Sequence, residues 1–398
     1  MGKALLIIVI GFSIIFSGVM FNVTSNHQRS AKEIIKHYEK WIAHNSIESA
    51  SNVAISKLYQ NFNWNSGYTN LAFYGADYSV TVTDITGDSA TEAKKVQITS
   101  VATYNNASDT TIAVFMQPAY SYYYYFVNNW PLSLKYNTGD TLLGPIHANS
   151  KIKIKGDPVF IARVSSNQGT YLPAEASPDP KFYGGAEFGT QIIPMPDLTP
   201  ITNAGLSGGD VYTDKLWLTF FTDGTYQCST SVVNTIKSIS SHNGIIMTTS
   251  NQYIHVKGVV NGQVTVLSDR DIFIDDDIVY ADDPRVNSNS DDYLGLIAAH
   301  RVNVVDNVAN SSNVEIHAAI LAHHDELNVE NYNIGSPRGT LTILGSIIQN
   351  DALPYGTYHE GTLETGYEGN HICDIRLIDK TPPYFPRLNR VEKVYRSD

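Results

Sequence analysis

Between Thr24 and Phe62 the chain contains neither proline nor glycine, and the stretch just before it, Ala4 to Val23, is almost wholly apolar. No charged side chain falls between Lys3 and Arg29, and the first proline of the chain is Pro118. An apolar run of about 20 residues matches the hydrocarbon thickness of a bilayer at the rise of an α-helix. Beyond it, Ile34, Tyr38, Trp41/Ile42, Ile47, Ala50, Ala54 and Leu58 recur at helical spacing. The pattern predicts one helix over residues 1–62, on the order of 85 Å long, half membrane span and half amphipathic. A buried core helix and a cleavable secretory signal are the competing readings. The run is longer than a usual signal core, no A-x-A-like cleavage site follows, and a signal needs no helical continuation.

Composition narrows the function classes. Of 398 residues only 17% are charged, and the formal net charge is −12. A nucleic-acid binder needs a basic face to displace counterions from phosphate, and no dense Lys/Arg run is present, so nucleic acid is not an expected partner. Two cysteines, Cys228 and Cys373, allow a single bridge or two free thiols, but neither a metal cage nor a disulfide framework. No G-x-S-x-G elbow, H-E-x-x-H pair or phosphate-binding glycine loop occurs. The expectation is a protein that is not an enzyme.

A long N-terminal helix, half span and half amphipathic, is similar to that of type IV pilins. The opening Gly2-Lys3-Ala4-Leu5-Leu6-Ile7 resembles the G-x-A-L start of PilX-type minor pilins, and Ile47-Glu48-Ser49-Ala50-Ser51-Asn52-Val53-Ala54 resembles the small-residue segment of their helix. The resemblance implies prepilin-type processing between Gly2 and Lys3. It also implies a minor or tip subunit, or an uncleaved anchor, since Ile7 stands where major pilins carry Glu.

After the helix, Tyr78–Thr83, Val96–Thr99 and Thr111–Phe115 alternate or run apolar around turn signals. They predict a small antiparallel meander over residues 63–130. The aromatic run Tyr122-Tyr123-Tyr124-Tyr125-Phe126, closed by Trp130, admits two readings. Tyr122, Tyr124 and Trp130 are candidate glycan-stacking rings, and the alternative is a strand with rings packed on both faces. Residues 131–244 read as a β-rich connecting region. There Gly144-Pro145-Ile146-His147-Ala148-Asn149 and Gly156-Asp157-Pro158-Val159-Phe160 resemble a G-P-V-H-T-N … I-x-G-x-P-V-F segment of a large bacterial family without an assigned activity, a domain of unknown function whose members often begin PilX-like. His147 reads as a structural histidine.

Over residues 245–350 the pattern changes to short apolar pairs separated by turns, among them Ile254/Val256, Val264/Val266, Ile272/Ile274, Leu294/Leu296 and Val302/Val304. Such spacing predicts a parallel β-helix or solenoid-like domain, with a large β-sandwich as the alternative. Residues 351–398 are expected as a tail packing on it. Asp275, Asp277, Asp282, Asp283, Asp291 and Asp292 are candidate calcium ligands, hard oxygen donors on turns, with solvated acidic turns as the plainer reading. No other cofactor is expected. Arg285 and Arg338, each following a proline, are placed to pair with carboxylates of neighbouring coils. His300, His317, His323 and His324 are too poorly spaced for a zinc set.

The chain as a whole reads as mainly β with one long N-terminal helix. It is expected to be a membrane-anchored, pilin-like surface protein, with its body periplasmic or extracellular or carried on a pilus, acting in assembly or adhesion. Other pilin-like subunits and surface glycans are the expected partners. A surface glycan-binding module and a membrane-tethered polysaccharide-active enzyme using the acidic turns are the alternatives.

Overall fold

The stretch without proline forms one helix, α1, from Gly2 to Gln60, 59 residues long. The structure, a computed structural model, describes residues 2–397. The chain divides into two compact units. One comprises the residues up to Ile85, Lys95–Met116 and those from Val391, and the other comprises Thr86–Lys94 and Gln117–Arg390.

In the first unit, only the C-terminal part of α1 is packed. Ala43, Ser46, Ile47, Ala50, Ser51, Ala54 and Leu58 are buried, a stripe that repeats every three to four residues. Most are small, which lets the helix backbone lie close to the sheet beneath it. That sheet is five-stranded and antiparallel, in the order Tyr68–Phe73, Ala76–Asp84, Lys94–Tyr104, Ala107–Gln117, Glu392–Ser397. Val80, Val96, Ile98, Ala113 and Phe115 form its core with Ala50, Ala54 and Leu58. Tyr74 and Gly75, with φ of 51° and 81°, make the tight turn between the first two strands. The sequence pattern picked out the three central strands. It missed Tyr68–Phe73, mostly exposed, and Glu392–Ser397, which joins from the far end of the chain.

The second unit is built from parallel ladders around one apolar core. In the longest, Ile246, Val266, Leu296, Ile320, Ile347, Tyr125, Ile146, Val164 and Ala186 stand in register on successive strands. A second ladder aligns Leu218, Val256, Ile274, Val304 and Val329, and a third aligns Ile278, Ile316, Ile343 and His371. Side chains of all three meet in a single cluster. Gly258 makes one crossing tight: at φ of 109°, a Cβ there would stand 2.3 Å from the Phe220 carbonyl oxygen.

From Ile246 to Val164 the longest ladder is buried on both faces. Its other face, with Ile245, Met247, Leu267, Ile297, Leu321, Ile348 and Phe126, packs against Ile193, Ile201, Leu377, Phe385 and Leu388. Strands covered on both sides read as continuous apolar runs, which Ile245–Thr248 and Tyr293–Ala298 are. The helix α2, Thr199–Gly208, belongs to this cover and buries Ile201 and Gly205.

Several sequence-derived boundaries move. The meander ends at Met116 rather than at residue 130, because Tyr125–Asn129 pairs in parallel with Pro337–Asp351. Residues 131–244 are not a connector, since their strands extend the longest ladder and open the second. The tail splits: Thr362–Cys373 pairs with Pro337–Asp351, whereas Glu392–Ser397 completes the antiparallel sheet of the first unit. The pairings of Tyr125–Asn129 and of Glu392–Ser397 join segments more than two hundred residues apart, which local pattern does not encode.

Candidate functional site

The most distinctive surface is the free length of α1. Leu5, Leu6, Ile7, Phe12, Ile14, Ile15, Phe16 and Phe21 are each between 62% and 75% exposed. The helix is long and apolar enough to cross a membrane, and none of its most apolar 18-residue window is buried. A core helix would bury that window. Its backbone groups are satisfied within the helix, so the segment can meet lipid without unpaired polar atoms. Gly2 and Lys3, the residues at the expected processing position, lie exposed in the first turn. Between the apolar run and the first packed residue, Ala43, the helix is solvent-facing. There it carries Arg29, Lys32, Lys36 and Lys40 together with exposed Ile34, Ile35, Tyr38 and Trp41.

The aspartates that are candidate calcium ligands have separate local surroundings. Asp275 accepts from His255 Nδ1 at 2.8 Å, and Asp277 accepts the backbone N–H of Glu315 at 2.8 Å. Asp283 is gripped by Arg285, Nε to Oδ2 at 2.9 Å, and the guanidinium holds its carboxyl below the usual range. Asp292, 1% exposed, accepts the backbone N–H groups of Gly262 and Asp282, and burial pushes its pKa up. Asp282 accepts from Asn287, and Asp291 is exposed. Among the described residues, no group of three or more His, Cys, Asp or Glu side chains is placed to hold a metal ion.

The arginines after proline do bridge neighbouring strands. Arg285 reaches Glu315 Oε1 at 2.6 Å as well as Asp283. Arg338 lies 3.4 Å from Asp306, donates to the Glu330 and Asn331 carbonyls, and sits over the Tyr367 ring. His317, 2% exposed, accepts the Tyr280 N–H at Nδ1, so its Nε2–H donates to Glu315. For Glu315, burial acts to raise the pKa, but bonds from His317 and Arg285 outweigh it and the value falls.

The tyrosine run is mostly interior. Tyr120–Tyr122 forms a single 3-10 turn and Tyr125–Asn129 a strand, rather than one continuous strand. Tyr124 is 6% exposed and donates to the His371 carbonyl, so it offers no open ring face to a sugar. Trp130 packs on Tyr125 and Tyr136 and donates Nε1–H to Leu134. Tyr122 is half-buried beside Tyr123. Three rings directed at different neighbours do not make the flat exposed patch that glycan stacking requires.

His147 and Asn149 of the Gly144–Asn149 segment hold the cover in place. His147 is fully buried, bonded to Ser165 Oγ at 2.8 Å and to Asn149 Oδ1 at 3.0 Å, and stacked on Phe126. Asn149 also donates to the Ile193 carbonyl and accepts the Ile193 N–H. Desolvation lowers the His147 pKa to about 4, so it is neutral in the folded protein near pH 7. Cys228 and Cys373 are both free, and burial pushes the Cys373 thiol up to about 11.

Comparison with known proteins adds little. No protein-family model matches the chain. No curated protein matches it by sequence. Among solved structures, the chain is similar to the competence-associated pilin ComZ of Thermus thermophilus, at 9% identity over 90% of this chain and 96% of that one, with a TM-score of 0.36, below the level of a shared fold.

Proposed function

We propose that this chain is a membrane-anchored, pilin-like surface protein, a minor or tip subunit of a type IV pilus or a related assembly, and not an enzyme. The observation that carries the reading is the division of α1. Its apolar half is wholly exposed, while its small-residue half is seated on an antiparallel sheet. That arrangement suits a helix that lies in lipid or among other helices at one end and carries a folded body at the other. We read the three parallel ladders as coils of a parallel β-helix, a stiff body for assembly or adhesion. In favour of a structural role, Asp275, Asp277, Asp283 and Asp292 of the acidic turns are engaged by internal donors.

The test is to shear filaments from native cells, separate them from membranes, and measure the N-terminal residue by mass spectrometry. A chain beginning at Lys3 in the sheared fraction is the expected result for a processed subunit. Intact Met1 in the membrane fraction would leave a tethered surface protein outside any fibre. A start near residues 20–30 in the medium would defeat the reading.

A further inference from the structure

The exposed part of α1 has a second pattern that a search for dense basic runs passes over. At 100° per residue, Arg29, Lys32, Lys36 and Lys40 fall within about 80° of the helix circumference. They form one basic stripe opposite Ile34, Ile35, Tyr38 and Trp41. Lys36 pairs with exposed Glu33 at 3.4 Å, and Glu39 at the margin accepts from Asn105. The stripe runs against the charge of the chain. Helix α1 has six basic and three acidic residues, which leaves twenty-one basic against thirty-six acidic in the remainder.

We propose that this stripe is a binding seat for the phosphates of anionic lipids in the leaflet where α1 leaves the bilayer. The inference rests on the membrane-anchored reading above. If Val23 marks the end of the hydrocarbon core, Arg29 stands about 9 Å and Lys32 about 14 Å beyond it along the axis. The headgroup layer is roughly 5–7 Å deep. Side chains on a helix lean toward its N-terminus, here back toward the membrane, so Arg29 and Lys32 reach the phosphates. Lys36 and Lys40 lie farther out and act through a field that decays over about one Debye length, roughly 8–10 Å. An acidic protein surface would also complement the stripe. The position of Arg29 and Lys32 directly past the apolar run favours lipid.

The experiment reconstitutes the full chain in phosphatidylcholine vesicles containing about one-third phosphatidylglycerol. Spin-labelled forms of the two lipids then measure which one the protein immobilises. A preference for phosphatidylglycerol of about threefold at low salt, falling toward unity at high salt, is expected. In the R29Q/K32Q variant the preference should vanish, in K40Q it should drop only slightly, and in K57Q, on the packed part of the helix, it should persist. No preference in the wild type, or an undiminished one in R29Q/K32Q, would overturn the proposal. So would a variant whose lipid preference is intact but whose self-association is lost, since the stripe would then serve a protein partner. Vesicle flotation after alkaline carbonate separates the two levels: a chain that fails to float overturns the anchor and this proposal together, whereas one that floats without lipid preference overturns this proposal alone.

Discussion

Two kinds of apolar stretch in this protein, one helical and one extended, end in opposite surroundings. None of the most apolar window of α1 is buried among the described residues, whereas Ile245–Thr248 and Tyr293–Ala298 are buried along their whole length. The difference lies in the backbone. A helix closes its own N–H and C=O groups, so its side chains can be presented to lipid. A strand leaves those groups to its neighbours, so an equally apolar strand must sit inside a ladder with both faces covered. Apolarity thus tells which residues leave water, and periodicity tells what they leave it for.

Substitutions can break that contrast in a graded way. Ile320→Ala, in the middle of the longest ladder, should destabilise the second unit by about 2–5 kcal/mol, read from denaturant unfolding, with membrane retention unchanged. Ile15→Lys, in the exposed half of α1, should do the reverse. Insertion weakens by about 3 kcal/mol, measured by carbonate extraction, while the unfolding midpoint stays put. If Ile15→Lys unfolded the body, the free half of the helix would have to be packed after all.

Polar burial in the cover of the ladder gives a smaller effect, dependent on pH. His147 has a folded pKa of about 4 against an ordinary value of 6.5. The unfolded chain therefore binds the proton first, and stability present above pH 6.5 is lost as pH falls toward 4. The loss is about 2–3 kcal/mol if His147 acts alone. His371, lowered to about 4 by burial, adds in the same direction. His147→Gln should flatten the pH profile of the unfolding midpoint, and an unchanged profile would remove His147 as its source. Ile34→Ser, on the exposed helix face, should alter stability by no more than about 0.5 kcal/mol. Smallest of all, EDTA should leave the melting temperature where it is, because Asp275, Asp283 and Asp292 are held by internal partners and no three candidate ligands come together among the described residues.

Much of this contrast can be read from sequence because α1 is encoded locally. Its length follows from the missing proline and glycine, and its packed stripe from Ile47, Ala50, Ala54 and Leu58. The short pairs such as Ile254/Val256 and Ile272/Ile274 likewise announce strands whose alternate residues enter a core. The pairing of Tyr125 with Ile347 is not legible, because nothing in either segment names a partner more than two hundred residues away. The same holds for Glu392–Ser397. The candidate sites fared worse for a related reason. Asp283 and Asp292 look like ligands in a list of residues, but Arg285 and two backbone N–H groups already occupy their oxygens. Tyr124 looks like a stacking platform until its ring is seen inside the core.

The most direct test of the account is trypsin applied from outside to cells stripped of their wall. The exposed stretch of α1 offers Arg29, Lys32, Lys36 and Lys40 to the protease. The body should be released, and a membrane-bound fragment that ends at one of these four residues and retains residues 4–23 should remain. Full protection of the body until the membrane is opened, or recovery of residues 4–23 in the soluble fraction, would contradict the account.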